Sequence, residues 1–483
     1  MRTPLFRSRE KRRGLRLWPV GTALVLTFTA ALLVSATVFY TGWALMDAHG
    51  LKPQRRIDSS TLFDLVKLSF GVVAGAGALV ALVVAYRRQR LDEDAALRDA
   101  TRLHTERFTT AVSQLGDDSA AVRLGGVHAL AGLADDAPTQ DLRQTCIDVL
   151  CAYLRLPYTA EADLSDGDTA ARHNYLALRE VRHTVIRLIR NHLRLDPDHP
   201  HSWQGRDFDL TDVTFDDGDL SGAVFSGGTV DFSRAVFSSG SIDFFGAQFS
   251  GATVDFGGAI FSGATVDFRN VVFFGGIVDF SGAKFTGGMV GFRKAIFHGS
   301  TVEFVGAEFL GGTVDFAGAE FVSHTVSFFS VHISGGILDF RRAKFSGGTV
   351  TFSGSEATGG TVSFRQAWFS GGTVEFLRAG FPGGTIDFRA AKFSGSVVNF
   401  RRSGFEGGVV DFSGAKFSDG TVDFSGAEFS DGTVDFRGAE YSGGTVDFTS
   451  AVGHAPVAVV PPSSEEPLPT GLRLPSIWYP ASA

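Results

Sequence analysis

Between Ala223 and Ser450, apolar residues return every 12 positions in 19 copies without a gap. Numbering each copy from its first residue, position 10 is Phe throughout, from Phe232 to Phe448, and position 8 is always Val, Ile or Leu. Position 3 is Phe in 16 copies, with Ile333, Ala357 and Tyr441 in the others. Position 1 is small, mostly Ala. The pairs Val-x-Phe and Ala-x-Phe have the two-residue period of a strand, so both members of each pair face one side. Between them lie Ser-Gly and Ser-Gly-Gly-Thr, which are turn residues. Glycine at this density opposes a helix throughout. Each unit therefore reads as strand, corner, strand, corner. One unit cannot bury its own apolar face, so the units must stack, Phe on Phe and Val on Val. The ladder Phe232, Phe244, Phe256, Phe316, Phe412 and Phe448 is expected to carry the stability.

Upstream of this run the spacing changes. From Phe208 the chain reads FDLTD, VTFDD, GDLSG, AVFSG, with Leu210, Phe215, Leu220 and Phe225 five apart and Phe208, Val213, Gly218 and Ala223 two before them. Here the chain resembles the pentapeptide-repeat family. The resemblance implies an all-β, right-handed, quadrilateral β-solenoid in which each central residue and the one two before it point inward. The 12-residue unit then looks like two pentapeptides, VDFSG and AVFSG, with two inserted residues such as Gly228-Thr229. Two coil sizes are open: a square coil made of two such units, or a flattened coil made of one. At ~4.8 Å per rung they give rods of roughly 45 Å and 90 Å. The square is favoured, because a two-sided coil would have to seat two Phe rings in a very narrow lumen.

The N-terminal part has a different pattern. Residues 1–17 form a basic arm, expected to be cytoplasmic. Trp18 to Met46 is uncharged and long enough to cross a bilayer, and a second apolar stretch, 62–86, ends in Arg87, Arg88 and Arg90. The arm and this second cluster carry ten Lys/Arg, whereas the 47–61 loop carries three, Lys52, Arg55 and Arg56. The basic ends should stay inside. The expectation is a multi-pass cell-membrane protein with transmembrane helices at 18–46 and 62–86, an external loop at 47–61 and both termini cytoplasmic. Gly71 and Gly75 form a GxxxG on the second span, suited to close helix packing within the hairpin.

Residues 91–195 read as a cytoplasmic helical region, with helices at 91–115, after Asp117-Asp118-Ser119, after Pro138, and from Thr169 to Leu193. AVRLGGVHALAGLADD is similar to a HEAT-type unit. Arg179, Arg182, His183, Arg187, Arg190 and His192 suggest a solvated or phospholipid-facing surface. The solenoid is placed at 203–452, with Trp203 and Phe208 expected to cap its first coil. The tail, 453–483, holds Pro456, Pro461, Pro462, Pro467 and Pro469, which predicts disorder. Trp478 and Tyr479 are left either as a sticky end or as a cap.

Over 483 residues the net charge is −8, and the two cysteines, Cys146 and Cys151, read as buried helix residues. No catalytic, cofactor-binding or metal-binding residues are assigned, so no cofactor is expected. Short uniform coils offer no cleft, and the expectation is not an enzyme. Position 9 is acidic in 14 copies and is expected to point outward. From Glu406 to Asp447 there are nine acids against two bases; from Asp231 to Arg402 there are 13 against 14. The distal acids Glu406, Asp411, Asp419, Asp423, Glu428, Asp431, Asp435, Glu440 and Asp447 are therefore the candidate protein-binding face. The reading is a non-enzymatic, membrane-anchored scaffold or sensor, with a protein partner that the sequence does not name and the lipid bilayer contacted through two spans. The alternative carried by the resemblance is an acidic DNA mimic that decoys a topoisomerase or another nucleic-acid enzyme. Direct nucleic-acid binding is not expected, because the rod lacks a basic excess.

Overall fold

The structure, a computed structural model, describes residues 58–478 apart from 160–163, 166, 323, 324, 458 and 460–469, together with scattered positions between 22 and 44. The first expected span, 18–46, therefore lies for the most part outside the described residues. The chain divides into two compact units, Met1–Leu103 and His104–Ala483.

Helix α1 (Ser59–Leu115) is one continuous element, where the sequence suggested a span followed by a separate helix. Among the described residues it is the one helix long and apolar enough to cross a membrane, with an 18-residue stretch of mean hydropathy 2.3. Its last turns belong to the second unit, where His104, Ala111 and Leu115 are buried and Val112 is exposed. Helices α2 (Ala120–Asp135), α3 (Gln140–Leu154) and α4 (Thr169–Leu193) follow. Ser119 does not cap α2 with its side chain; its N–H donates to Asp117. Thr139 caps α3 through the Leu142 N–H, and Asp168 caps α4 through that of Ala171. Cys146 and Cys151 are buried, unpaired thiols, pushed up by burial to about 11 and about 12 respectively.

From Phe208 the chain winds into a parallel β-solenoid with four faces, carrying 12, 11, 10 and 10 strands among the described residues, in order of appearance. The first face begins Phe208–Asp209, Thr229–Asp231; the second Thr214–Phe215, Val236–Phe237; the third Gly218–Asp219, Ser241–Asp243; the fourth Val224–Ser226, Gln248–Ser250. Val230 pairs with Val254 and Ile260 with Lys284, a register of two repeat units. The coil is thus the four-sided one, and the flattened alternative is excluded. The first coil is two residues shorter: Phe208 pairs with Val230.

The four-sided coil exists because four Phe ladders fill it. Position 10 stacks on the first face (Phe232 on Phe256, 4.8 Å) and on the third (Phe292 on Phe316, 4.7 Å). These two ladders meet edge to face, as at Phe256 and Phe268, 88° apart. Position 3 supplies the other two ladders, such as Phe261 on Phe285 and Phe297 on Phe321. All six ladder residues singled out from the sequence point inward and are buried. Offset and edge-to-face rings add to the burial of their area.

The corners are of two kinds. At the tight one, the position 1 N–H returns to the position 10 carbonyl, as Ala235 does to Phe232 at 3.0 Å. Position 12 there adopts a positive φ even when it is not glycine, as at Arg234 (57°) and Lys294 (56°), which marks a type II turn. The wide corner holds the two extra residues. Gly276 sits so close to the rung below that a Cβ would lie 2.1 Å from the Ala252 carbonyl.

Candidate interaction surfaces

The acidic position 9 does not stand free. Its carboxylate accepts the backbone N–H two residues on and so caps the tight corner: Ser233 on Asp231, Gly257 on Asp255, Ser425 on Asp423 and Thr449 on Asp447. Where the acid is replaced, Thr351 and Asn399 do the same with their side-chain oxygens. This is the local turn chemistry of Asx and Ser/Thr residues. Because two units make one coil, the acids alternate between the first and third faces rather than forming one line. On the third face they sink further, and Asp315, Asp339, Asp387 and Asp435 are buried. Arginines complete them: Arg341 on Asp339, Arg389 on Asp387 and Arg437 on Asp435, at 2.6, 2.6 and 2.5 Å. These members still project outward, between the inward residues at positions 8 and 10, but the turn and the overlying arginines cover them.

The nine distal acids do not share one side. Asp423 and Asp447 lie on the first face, Asp411 and Asp435 on the third, Glu428 on the second and Glu440 on the fourth. Glu406 and Asp431 stand at the wide corner after the second face, and Asp419 at the one after the fourth. Glu440 is paired with Lys416 at 2.8 Å, Asp423 with Arg401 at 3.7 Å and Asp447 with Arg473 at 3.5 Å. Arg437 and its own turn hold the Asp435 carboxyl below the usual carboxylate range. Asp411 and Asp435 are register partners on the third face and Asp423 and Asp447 on the first, but all four are committed to turn caps. Glu406, Glu428 and Asp431 are exposed, on or beside the second face in neighbouring coils.

The open end of the first coil is closed by the helices. Leu154, Ile186 and Ile189 share one small apolar cavity with Phe208, Phe215, Leu220 and Phe225. Trp203 is fully buried and does not line this cavity. It stacks on His192 at 4.1 Å, and its Nε1 donates to Asp135, as does His192 Nε2. The short corner of the first coil presents Asp216, which accepts the hydroxyls of Tyr158 and Tyr175, both at 2.7 Å. Burial and this carboxylate raise both phenols, Tyr175 to about 12. Arg182 lies 4.1 Å from the Tyr158 ring centre and donates to the Leu154 and Thr214 carbonyls. Arg179 pairs with Asp217, Arg190 with Asp219 and Arg155 with Asp209.

The basic face of α4, read from the sequence as solvated or lipid-facing, is thus divided: Arg179 and Arg190 turn onto acids of the first coil, Arg182 onto backbone carbonyls and His192 onto Asp135, while Arg187 stays with Thr184 and Glu180 of its own helix. Arg143, which carries no signal in the sequence pattern, is buried and ties the Ala134, Asp135 and Pro200 carbonyls together. The available signal for the junction was complementarity: an arginine-rich helix precedes the cluster Asp216-Asp217-Gly218-Asp219.

At the far end, part of the Pro-rich tail is ordered. Leu472–Arg473 adds a strand beside Thr445–Asp447. Trp478 then covers Phe429 and Phe448 at 5.6 and 5.4 Å and donates to the Gly453 carbonyl. The cap alternative for Trp478 is the one realised, and Tyr479 lies outside the described residues.

Residues 244–296 match a family model described as pentapeptide repeats (9 copies). No curated protein and no solved structure matches the chain.

Proposed function

We propose that this protein is a non-enzymatic, membrane-anchored scaffold whose β-solenoid offers its outer faces to a protein partner. The observation that carries the reading is the in-register stacking of four parallel faces, which holds outward side chains in straight rows on a rigid core. Such surfaces suit extended contacts, and their rigidity limits the ordering cost of binding. The apolar stretch of α1 supports an anchor in the cell membrane. With the uncharged 18–46 segment as a second span, the basic flanks favour a hairpin with both termini cytoplasmic. Within this reading Glu406, Glu428 and Asp431 are the acids best placed to meet a basic partner.

The test is in-cell cross-linking with mass spectrometry. The intact chain is compared with a Glu406→Lys, Glu428→Lys, Asp431→Lys variant. A captured protein that is lost from the variant, with melting unchanged, supports recognition through this side. Identical captures from both remove these acids from the proposal. Release of the intact chain from membranes by alkaline washing would overturn the anchor.

A further inference from the structure

The cations of the solenoid are not spread evenly over its sides. Six arginines, Arg269, Arg293, Arg341, Arg365, Arg389 and Arg437, occupy the same corner, the tight turn from the third face to the fourth. They are separated by whole numbers of coils, so they stack as one row. Five are matched to third-face carboxylates: Asp267, Asp315, Asp339, Asp387 and Asp435. The sixth is not. In the coil of Arg365, position 9 is Ser363, and Arg365 has no carboxylate partner among the described residues.

The surroundings of Arg365 extend the imbalance. In the coil before it, Arg342 spends its guanidinium on Gln366, at 2.9 Å. In the coil after it, Lys392 lies 5.3 Å from the ring centre of Trp368, which stands half-exposed on the fourth face. The carboxylates of this face do not compensate, since Glu320 and Glu440 are tied to Lys344 and Lys416. Towards the helical end the same face shows Phe274, 57% exposed and stacked on His298, with Ile296 beside it. This side therefore combines cations without acidic partners and aromatic rings left in water, along one set of parallel rungs in register.

We propose that the fourth face and its arginine corner lie on the anionic lipid surface of the bilayer that anchors the chain; this rests on the membrane reading above. Cations and interfacial rings are the two features that attract a protein surface to anionic headgroups. A plane of lipid asks for a continuous side rather than a shaped pocket, and parallel strands stacked in register provide one. Tethering the chain to the same membrane raises the local lipid concentration, so a few weak contacts suffice.

The test uses the full chain reconstituted into liposomes of phosphatidylcholine alone or doped with phosphatidylserine. Nitroxide labels are placed at Ser370→Cys, exposed on the fourth face, and at Thr358→Cys, exposed after the second; both native cysteines are buried. Relaxation by a nickel-chelating lipid should be several-fold greater at 370 than at 358 with phosphatidylserine present. The preference should collapse at high salt, where charges are screened, and in the Arg365→Glu, Lys392→Glu variant. Equal relaxation at the two sites with phosphatidylserine overturns the proposal. So does a preference that survives both salt and charge reversal. Alkaline washing separates the two readings. If the chain washes off, the anchor falls, and flotation with phosphatidylserine vesicles then decides the face by comparison with the Arg365→Glu, Lys392→Glu variant: flotation weakened in the variant upholds it, and equal flotation of the two removes it.

Discussion

The middle of the solenoid and its two ends solve the same problem by opposite means. In the middle, nearly every Phe finds its own kind one coil away on either side, the exceptions being Phe309 beside Ile333 and Phe381 beside Ala357, so one pattern, repeated, buries the interior. At the ends there is no next coil, and the closure uses residues that occur once. The helical end is sealed by three aliphatic side chains and then fastened by a polar set around Asp216, with Arg182 in support. The distal end is sealed by one indole and a two-residue strand. The difference teaches that a repeat stabilises itself only between neighbours; where neighbours run out, stability has to be imported from outside the repeat.

Perturbations should separate the two regimes. Phe316 stacks on Phe292 and Phe340 and has no exposed surface. Phe316→Ala should cost about 3–5 kcal/mol in chemical denaturation, and an unchanged midpoint would contradict the ladder account. Asp216→Ala should cost about 2–3 kcal/mol, because it strands two phenol hydroxyls at a buried junction. Its signature is local: amide exchange should quicken in α4 and the first coil while the middle stays protected. Trp478→Ala should cost about 2 kcal/mol and loosen the last coils around Phe429 and Phe448, leaving the helical end alone.

Asp435→Ala should cost about 1 kcal/mol through the lost turn cap on the Arg437 N–H. Its carboxyl is held below the ordinary value, chiefly by hydrogen bonding to the Arg437 side chain. Its contribution is therefore complete above about pH 4 and fades as pH falls through the depressed value; Asp435→Asn should flatten that part of an acid melt. The smallest effect belongs to His183. Burial, and then Arg179, lower its pKa against the pull of Asp217, Asp216 and Glu180. The fold favours neutral imidazole, so its contribution is complete above about pH 6.5 and shrinks as pH falls towards the folded value. Denaturation of His183→Gln should show a shallower pH slope over that window.

The interior was legible because it is periodic. The repeat pattern, the inward Val and Phe, and the choice of a four-sided coil all follow from where rings of that size can go. The ends were not legible, since Tyr158 and Asp216 lie far apart in the chain and belong to no pattern. The surface is where counting along the chain misleads. The run of distal acids suggests one acidic face, but Asp411 and Asp423 sit on different sides and both cap turns. The arginine row is hidden for the same reason. Its members are visible in the sequence, yet they align only when the chain is read at twice the period of its own repeat.

That doubling has a consequence for how such a chain can change length. The fold repeats with every unit in shape but only with every second unit in direction. Losing a single unit would still set position 3 on position 3 and position 10 on position 10, and would turn everything downstream half a revolution about the long axis. Arginines beyond the deletion would then face the way of the corner between the first and second faces, where the same position holds residues such as Ser233, Gly257, Ser281 and Ser425. A pair of units could be gained or lost with the bearing kept. The sequence is therefore free to vary in length by whole revolutions, while half revolutions keep the core and scramble the outside.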